Sequence, residues 1–253
     1  MPAESYYFGY YFFAPNGRFN PCGMFTAGHI FAAAICIAAV IFALYFTKNS
    51  TNHSKLLRRS AIIITILESV KISHSFIYGD FYLDAWFPLS YCGLFIFALW
   101  MAGYGKGVLK RTGEVFIAYG CAVAGLIFLI CPTTSLMMFP LWHYFSVYSL
   151  FFHSMMIYVG ITLLKKEKRF IKREFVLYAI FVIVFSVPAY VLNTIYGSNL
   201  MNLREPFNVP IEILQILHEK LPFIYSLFVV SVFLLIPVVT AFLHKIFCFS
   251  KHS

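Results

Sequence analysis

Seven long apolar runs alternate with short polar stretches along the chain. The runs cover approximately residues 24–47, 57–78, 86–104, 114–131, 142–164, 174–196 and 222–246. Each has about the 20 residues that an α-helix needs to cross the hydrocarbon core of a bilayer. We therefore predict an all-α, polytopic integral membrane protein with seven transmembrane helices, folded as a single domain over residues 1–253.

Composition supports this prediction and narrows the class of partner. Apolar residues make up 61% of the chain and charged residues only 11%, whereas soluble domains contain about 25% charged residues. The net charge of +9 does not indicate a nucleic-acid partner, because the basic residues lie in short loops between apolar runs. We expect an integral membrane protein, and we predict that its membrane is the cell membrane of a bacterium.

Basic residues in the loops predict the orientation of the helices. Fifteen of the nineteen lysines and arginines follow the first, third, fifth and seventh apolar runs, and the loops on the other side hold only Arg18, Arg204 and Lys220. Because basic loops mark the cytoplasmic side, we predict the N-terminus outside and the C-terminus inside. Cys22 and Cys131 then both lie near the outer surface, where a disulfide between them is possible.

The second apolar run carries three ionisable residues, Glu68, Lys71 and His74. Successive members are three residues apart, which places each neighbouring pair on one helix face. An ionisable residue inside a span costs about 2.5–3.5 kcal/mol unless it finds a partner or water. The group is therefore either a structural ion pair or part of a polar chamber. Further polar residues at the same predicted depth favour a chamber open to the outside; these are Cys92, His143, His153 and Asn193.

Two motifs resemble those of the YwaF-type integral membrane proteins. The stretch "FPLSYCGLF" at 87–95 resembles their Leu-Pro-Leu-x-x-Cys motif, and "NTIYGSNLMNLREP" at 193–206 resembles their Asn-x-x-x-Gly-x-Asn-Tyr-x-x-Leu-x-x-x-Pro signature. The fifth run also carries His153, as their histidine-bearing helix does. The chain departs from the pattern at Ser90, where a histidine is expected, and at Leu200, where a tyrosine is expected.

The resemblance implies an activity and a pair of catalytic residues. The family is related to a eukaryotic transmembrane acyltransferase that moves fatty acyl chains between phospholipids with a cysteine and a histidine. Carried over to this chain, the nucleophile is Cys92 and the base is His153, with His74 as an alternative base. Membrane phospholipids are then the substrates, and no cofactor is expected. We expect supporting or substrate-binding roles for a further set, namely Glu68, Lys71, His74, His143, Asn193, Asn199 and Arg204.

Two other classes of membrane protein would require different residues in these spans. A retinal protein needs a lysine within its last span, and the last run has none before Lys245 at its inner end. A zinc hydrolase needs closely spaced ligands, but His143 and His153 are ten residues apart, so no metal site is predicted. A small-solute transporter or ligand-binding membrane protein with an outward-facing polar chamber remains the alternative. The pattern does not predict an oligomeric state.

Overall fold

The computed structural model describes residues 8–49, 52–79, 83–167, 170–209 and 211–249, and these residues contain no β-strand. In chain order, the helices are α1 (Phe8–Phe12), α2 (Ala27–Phe46), α3 (His53–Tyr78), α4 (Leu83–Trp86), α5 (Leu94–Tyr104), α6 (Gly107–Phe116), α7 (Ala122–Ile130), α8 (Ser135–Met138), α9 (Tyr144–Leu164), α10 (Lys172–Tyr196), α11 (Glu212–Lys220) and α12 (Pro222–Phe249). A π-helical turn, Ile117–Cys121, joins α6 to α7, and a 3-10 turn, Leu200–Asn202, follows α10.

Six helical segments are long and apolar enough to cross a membrane. They are α2, α3, the continuous segment that begins with α6, and α9, α10 and α12. This confirms an all-helical protein with membrane-spanning helices. The orientation of the bundle and the disulfide stay predictions from the sequence, although Cys22 and Cys131 both carry free thiols in this structure.

The third predicted span differs from the other six. The run over 86–104 contains only the 11-residue helix α5, whose rise of roughly 16 Å is about half of a bilayer core. Pro88 disfavours helical backbone at the residue before it, and two tight turns follow. Leu89 N–H donates to the Phe87 carbonyl at 2.8 Å, and Leu94 N–H donates to the Ser90 carbonyl at 3.0 Å. The described residues therefore contain six long segments and one short apolar helix, and a seventh crossing over 86–104 stays a prediction.

Helix α5 lies at the centre of the packed core. Leu94, Phe95, Ala98 and Leu99 are completely buried, and α5 packs against both α3 and α6. In contrast, α2, α10 and α12 leave many large apolar side chains exposed, as helices that face lipid do. Because lipid tails are as apolar as leucine, close packing rather than the hydrophobic effect holds such helices together.

A small residue sets the distance between α7 and α9 beside a predicted catalytic residue. A Cβ atom added to Gly125 of α7 would lie 2.7 Å from the backbone carbonyl of His153 in α9. That separation is shorter than real Cβ contacts, so only glycine lets the two backbones approach this closely. The packing of α7 thereby fixes the part of α9 that carries the histidine.

Candidate functional site

A cavity of about 390 Å³ lies at the end of the bundle where α3 and α10 end and α9 begins. Its rim comes from the N-terminal segment, α4, the segment before α8 and the 199–207 segment. The charge distribution predicts that all of these segments lie on the outer side. Aromatic side chains form much of its wall, namely Phe87, Phe139, Phe145, Phe152 and Phe207.

This cavity brings together five of the nine residues singled out from the sequence. Glu68, Lys71, Cys92, His153 and Asn199 all line it. The other four, His74, His143, Asn193 and Arg204, are not among its lining residues.

Cys92 lies in the turn between Pro88 and α5 rather than within a helix. The Ser90 hydroxyl accepts the N–H of Gly93 at 2.9 Å, so the turn closes around the cysteine. A Cβ atom at Gly93 would lie 2.4 Å from the Pro88 carbonyl oxygen, and this crowding requires glycine there. The half-buried thiol faces the cavity two residues before α5 begins. Within the described part of the chain, the Cys92 N–H has no hydrogen-bond acceptor.

A pair of buried tyrosines, Tyr91 in the turn and Tyr178 in α10, anchors this turn to the core. The hydroxyl groups of Tyr91 and Tyr178 are hydrogen-bonded to each other. Tyr178 also donates to the Phe233 carbonyl of α12 at 3.3 Å. Both rings fit beside the π-helical turn because Gly120 has no side chain, and a Cβ atom there would lie 2.9 Å from the Tyr91 oxygen. The residue next to Cys92 is therefore held by α10, α12 and the π-helical turn together.

His153 presents an unprotonated nitrogen to the site. Its Nδ1 lies 2.7 Å from the Ser149 carbonyl oxygen, and a carbonyl only accepts, so the proton resides on Nδ1. Nε2 therefore carries a lone pair, and this buried atom has no partner among the described residues. The ring stacks on Phe128 with a centroid distance of 3.6 Å and an interplanar angle of 6°. These contacts fix the orientation of a free base.

A buried ion pair forms one wall of the cavity. Lys71 Nζ lies 2.6 Å from Glu68 Oε1, with side-chain exposures of 24% and 8% respectively. The Tyr148 hydroxyl donates to the other carboxylate oxygen at 2.6 Å. The ion pair that the spacing predicts is present, and it faces the same space as Cys92 and His153.

Among the polar residues of the site that the sequence patterns do not single out are Ser75, Tyr148 and Ser135. Ser75 and Ser135 line the cavity with buried hydroxyls that have no partner among the described residues. Ser75 is seven residues after Glu68, a spacing that returns to the same helix face, and this signal was available in the sequence. Nothing in the local sequence distinguishes Tyr148 or Ser135 from their neighbours.

The segment after α10 is braced by the asparagines that the motif contains. Asn193 Oδ1 accepts the N–H of Leu200 at 2.7 Å, and its amide donates to the Leu200 carbonyl at 3.0 Å. Asn199 Oδ1 accepts the N–H groups of Arg204 and Glu205, both at 3.1 Å, and the Arg204 guanidinium donates to a carbonyl of the same segment. Asn193 and Arg204 therefore shape the rim without lining the cavity.

The two motifs contact each other at the cavity. The Met201 N–H, in the 193–206 motif, donates to the Leu89 carbonyl, in the 87–95 motif, at 3.1 Å. Both residues line the cavity. The Asn193 network thus supports the backbone that carries Cys92.

His74 and His143 hold the N-terminal segment rather than the cavity. Both donate from Nε2 to the Ala14 carbonyl, at 3.2 Å and 2.9 Å, and Phe145 N–H donates to His143 Nδ1 at 3.1 Å. Burial, with the nearby His74 as a further cause, lowers the pKa of His143 to about 4, so its ring is neutral at physiological pH. Neither histidine is placed to act as a base on Cys92.

Comparison with known proteins places the chain in a family. A family model described as the TMEM164 family matches residues 24–242. The chain belongs to the TMEM164 family. No curated protein and no solved structure matches the chain significantly. The match confirms a family of transmembrane proteins, and it covers the whole cavity apart from the N-terminal part of its rim. The YwaF-type resemblance and the acyl transfer that it implies stay predictions.

Proposed function

We propose that the protein is a membrane-embedded acyltransferase that moves a fatty acyl chain between phospholipids through a thioester on Cys92. The observation that carries the proposal is the shared cavity of Cys92 and His153, in which the Nε2 lone pair of His153 has no partner among the described residues. A thiol and a free base that line one cavity are the two groups that nucleophilic acyl transfer requires.

The first half-reaction loads the enzyme. The Cys92 thiol gives its proton to His153 Nε2, and the sulfur attacks the ester carbonyl carbon of the donor phospholipid. The C–S bond forms, the C–O bond breaks, and His153 returns the proton to the departing lysophospholipid oxygen. The Cys92 N–H, which has no acceptor within the described part of the chain, is the proposed donor for the oxyanion of the intermediate, because the N–H groups of residues 93–96 are already hydrogen-bonded.

The second half-reaction releases the acyl chain. A lysophospholipid hydroxyl gives its proton to His153 Nε2 and attacks the thioester carbonyl. The new C–O bond forms, the C–S bond breaks, and the thiolate takes the proton back from the histidine. No oxidant, metal or cofactor enters either step.

The walls of the cavity suit such a substrate. A phospholipid combines a charged headgroup with apolar chains, and the cavity combines a charged pair with an aromatic wall. Three residues of this cavity, Ser75, Ser135 and His153, each carry a buried side-chain polar atom without a partner among the described residues. Buried polar groups need hydrogen-bond partners, so these atoms favour a ligand with polar groups.

The second candidate is a small-solute transporter or ligand-binding protein. The Glu68–Lys71 pair favours it, because intramembrane ionisable pairs often act as coupling groups. The two candidates differ in whether their activity requires the Cys92 thiol. A transporter tolerates Cys92→Ser, whereas a thioester enzyme loses its activity with that change.

The test is acyl transfer by the purified protein between a phospholipid with a deuterated chain and an unlabelled lysophospholipid. Chain exchange is followed by mass spectrometry of the lipids. We expect exchange with the wild type and with Cys121→Ala, a matched control at a fully buried cysteine, but none with Cys92→Ser. Undiminished exchange by Cys92→Ser would contradict the proposal. Solute uptake without any lipid exchange would favour the transporter.

A further inference from the structure

A second pocket of about 300 Å³ lies at the opposite, basic end of the bundle, where α3 and α6 begin and α9 ends. Basic side chains reach it from three helices or their ends: His53 from α3, Lys110 and Arg111 from α6, and Lys166 after α9. Two carboxylates, Glu114 and Glu167, also line it. It shares no residue with the cavity of Cys92.

Among the residues that line this pocket, three permanent cations, Lys110, Arg111 and Lys166, face two carboxylates. Glu167 is committed to Arg111 through two bonds of 2.6 and 2.8 Å, and Arg111 also contacts Glu174 at 3.1 Å. This bidentate cluster is a structural brace in which one cation, Arg111, faces two carboxylates. Glu114 approaches Lys110 only to 3.8 Å, and Lys166 has no ion pair within 4 Å among the described residues.

The surroundings of Lys166 also favour a bound anion. Partial burial and the neighbouring Lys110 lower the pKa of Lys166, although Glu114 and Glu167 act in the opposite direction. Burial is the main cause of this shift, and a bound anion offsets the cost of partly burying the ammonium group. The pocket also includes the first turn of α3, a 26-residue helix, whose N-terminal end favours negative charge.

We propose that this pocket binds the phosphate group of an anionic phospholipid. Lys110 and Lys166 hold the phosphate, and His53 and Ser54 of the first turn of α3 complete its coordination. Leu57 and Leu163, both buried, form the apolar back of the pocket. A headgroup that rests against such a wall at a helix end keeps its chains in the adjacent bilayer, and basic pockets between transmembrane helices are a known setting for anionic lipids. The proposal does not depend on the chemistry of Cys92.

The test is native mass spectrometry of the full chain with phosphatidylglycerol or phosphatidylcholine of the same chain length. We expect preferential retention of one phosphatidylglycerol. Lys110→Gln and Lys166→Gln should each weaken it about fivefold, since a basic residue near an anionic headgroup contributes about 1 kcal/mol. Lys165→Gln is the matched control, because it removes the same charge from the adjacent position, outside the pocket lining, and it should leave retention nearly unchanged.

Three results would overturn the proposal. Equal retention of the two lipids would remove the preference for an anionic headgroup. Equal weakening by Lys165→Gln and Lys166→Gln would indicate diffuse attraction rather than a site. Inorganic phosphate that stabilises the protein against heat as strongly as the lipid does, with the same dependence on Lys166, would identify free phosphate as the ligand. The melting temperature of each variant checks its fold, and Lys166 is exposed enough that its replacement should not change it.

Discussion

Breaking the Glu68–Lys71 pair from either side should destabilise the protein unequally. At 2.6 Å, two unit charges attract by roughly 6 kcal/mol at an effective dielectric constant of about 20, before desolvation is subtracted. Removing one partner of a buried pair costs about 3–5 kcal/mol. Lys71→Met leaves Glu68, with 8% side-chain exposure, as an uncompensated buried carboxylate and should reach that range.

The reverse change should be milder. After Glu68→Gln, Lys71 keeps 24% side-chain exposure and can turn its ammonium toward water. The new amide oxygen also still accepts the Tyr148 hydroxyl. We expect a loss of about 1–3 kcal/mol. The double variant Glu68→Gln, Lys71→Met removes both charges and should recover most of the loss.

The assay is thermal unfolding in detergent, followed by the folded fraction on size-exclusion chromatography. By the scaling for domains of this size, Lys71→Met should lower the melting temperature by about 6–12 °C or more. Glu114→Gln is the control, because it breaks the more exposed Lys110–Glu114 pair, 3.8 Å apart, and should cost at most about 1 kcal/mol. The reasoning fails if Lys71→Met melts within about 2 °C of wild type, or if the double variant is no better than Lys71→Met.

Three further predictions concern the cysteine turn and the orientation. Gly93→Ala should cost about 1–3 kcal/mol in unfolding free energy, because the new methyl group meets the Pro88 carbonyl oxygen. It should also slow maleimide labelling of Cys92. Normal stability and labelling would contradict this prediction. Tyr178→Phe removes the hydroxyl partner of Tyr91 and should cost about 1–3 kcal/mol by thermal unfolding; an unchanged melting temperature would mean that the pair does not anchor the turn. In cells, Lys165→Cys should react with an impermeant maleimide only after permeabilisation and Glu212→Cys in intact cells; the opposite pattern would reverse the orientation.

The long helices were predictable because each is encoded by its own residues. The apolar runs locate α9 and α10 to within about two residues of their observed ends, and the spacing of Glu68 and Lys71 predicts their contact. Such features depend on local sequence and on the fixed geometry of the α-helix. They need no knowledge of which helices are neighbours.

The place of His74 shows how pairwise spacing can mislead. Glu68, Lys71 and His74 follow each other at intervals of three residues. Each interval falls about 60° short of a full helical turn, so His74 is offset from Glu68 by about 120° around the helix axis. His74 therefore leaves the face of Glu68, and Ser75, at an interval of seven, returns to it. The cavity contains Ser75 and not His74.

The break in the third span could not be predicted from its composition. Pro88 is compatible with the first turn of a helix, and the residues after it are apolar enough for a span. The turn around Cys92 depends instead on residues that are distant in the sequence. Met201 is hydrogen-bonded to Leu89, and Tyr178 is hydrogen-bonded to Tyr91. The bonds from His74 and His143 to Ala14 are distant contacts as well, and no local pattern encodes such contacts.

The most direct test of the central claim is the mass of the intact protein after incubation with phospholipid. The account predicts an increase equal to one fatty acyl chain, reversed by hydroxylamine and located on the peptide that contains Cys92. His153→Ala should suppress the adduct and Cys121→Ala should not. An intact protein of unchanged mass under conditions of active lipid exchange, or an adduct on another cysteine that survives Cys92→Ala, would contradict it.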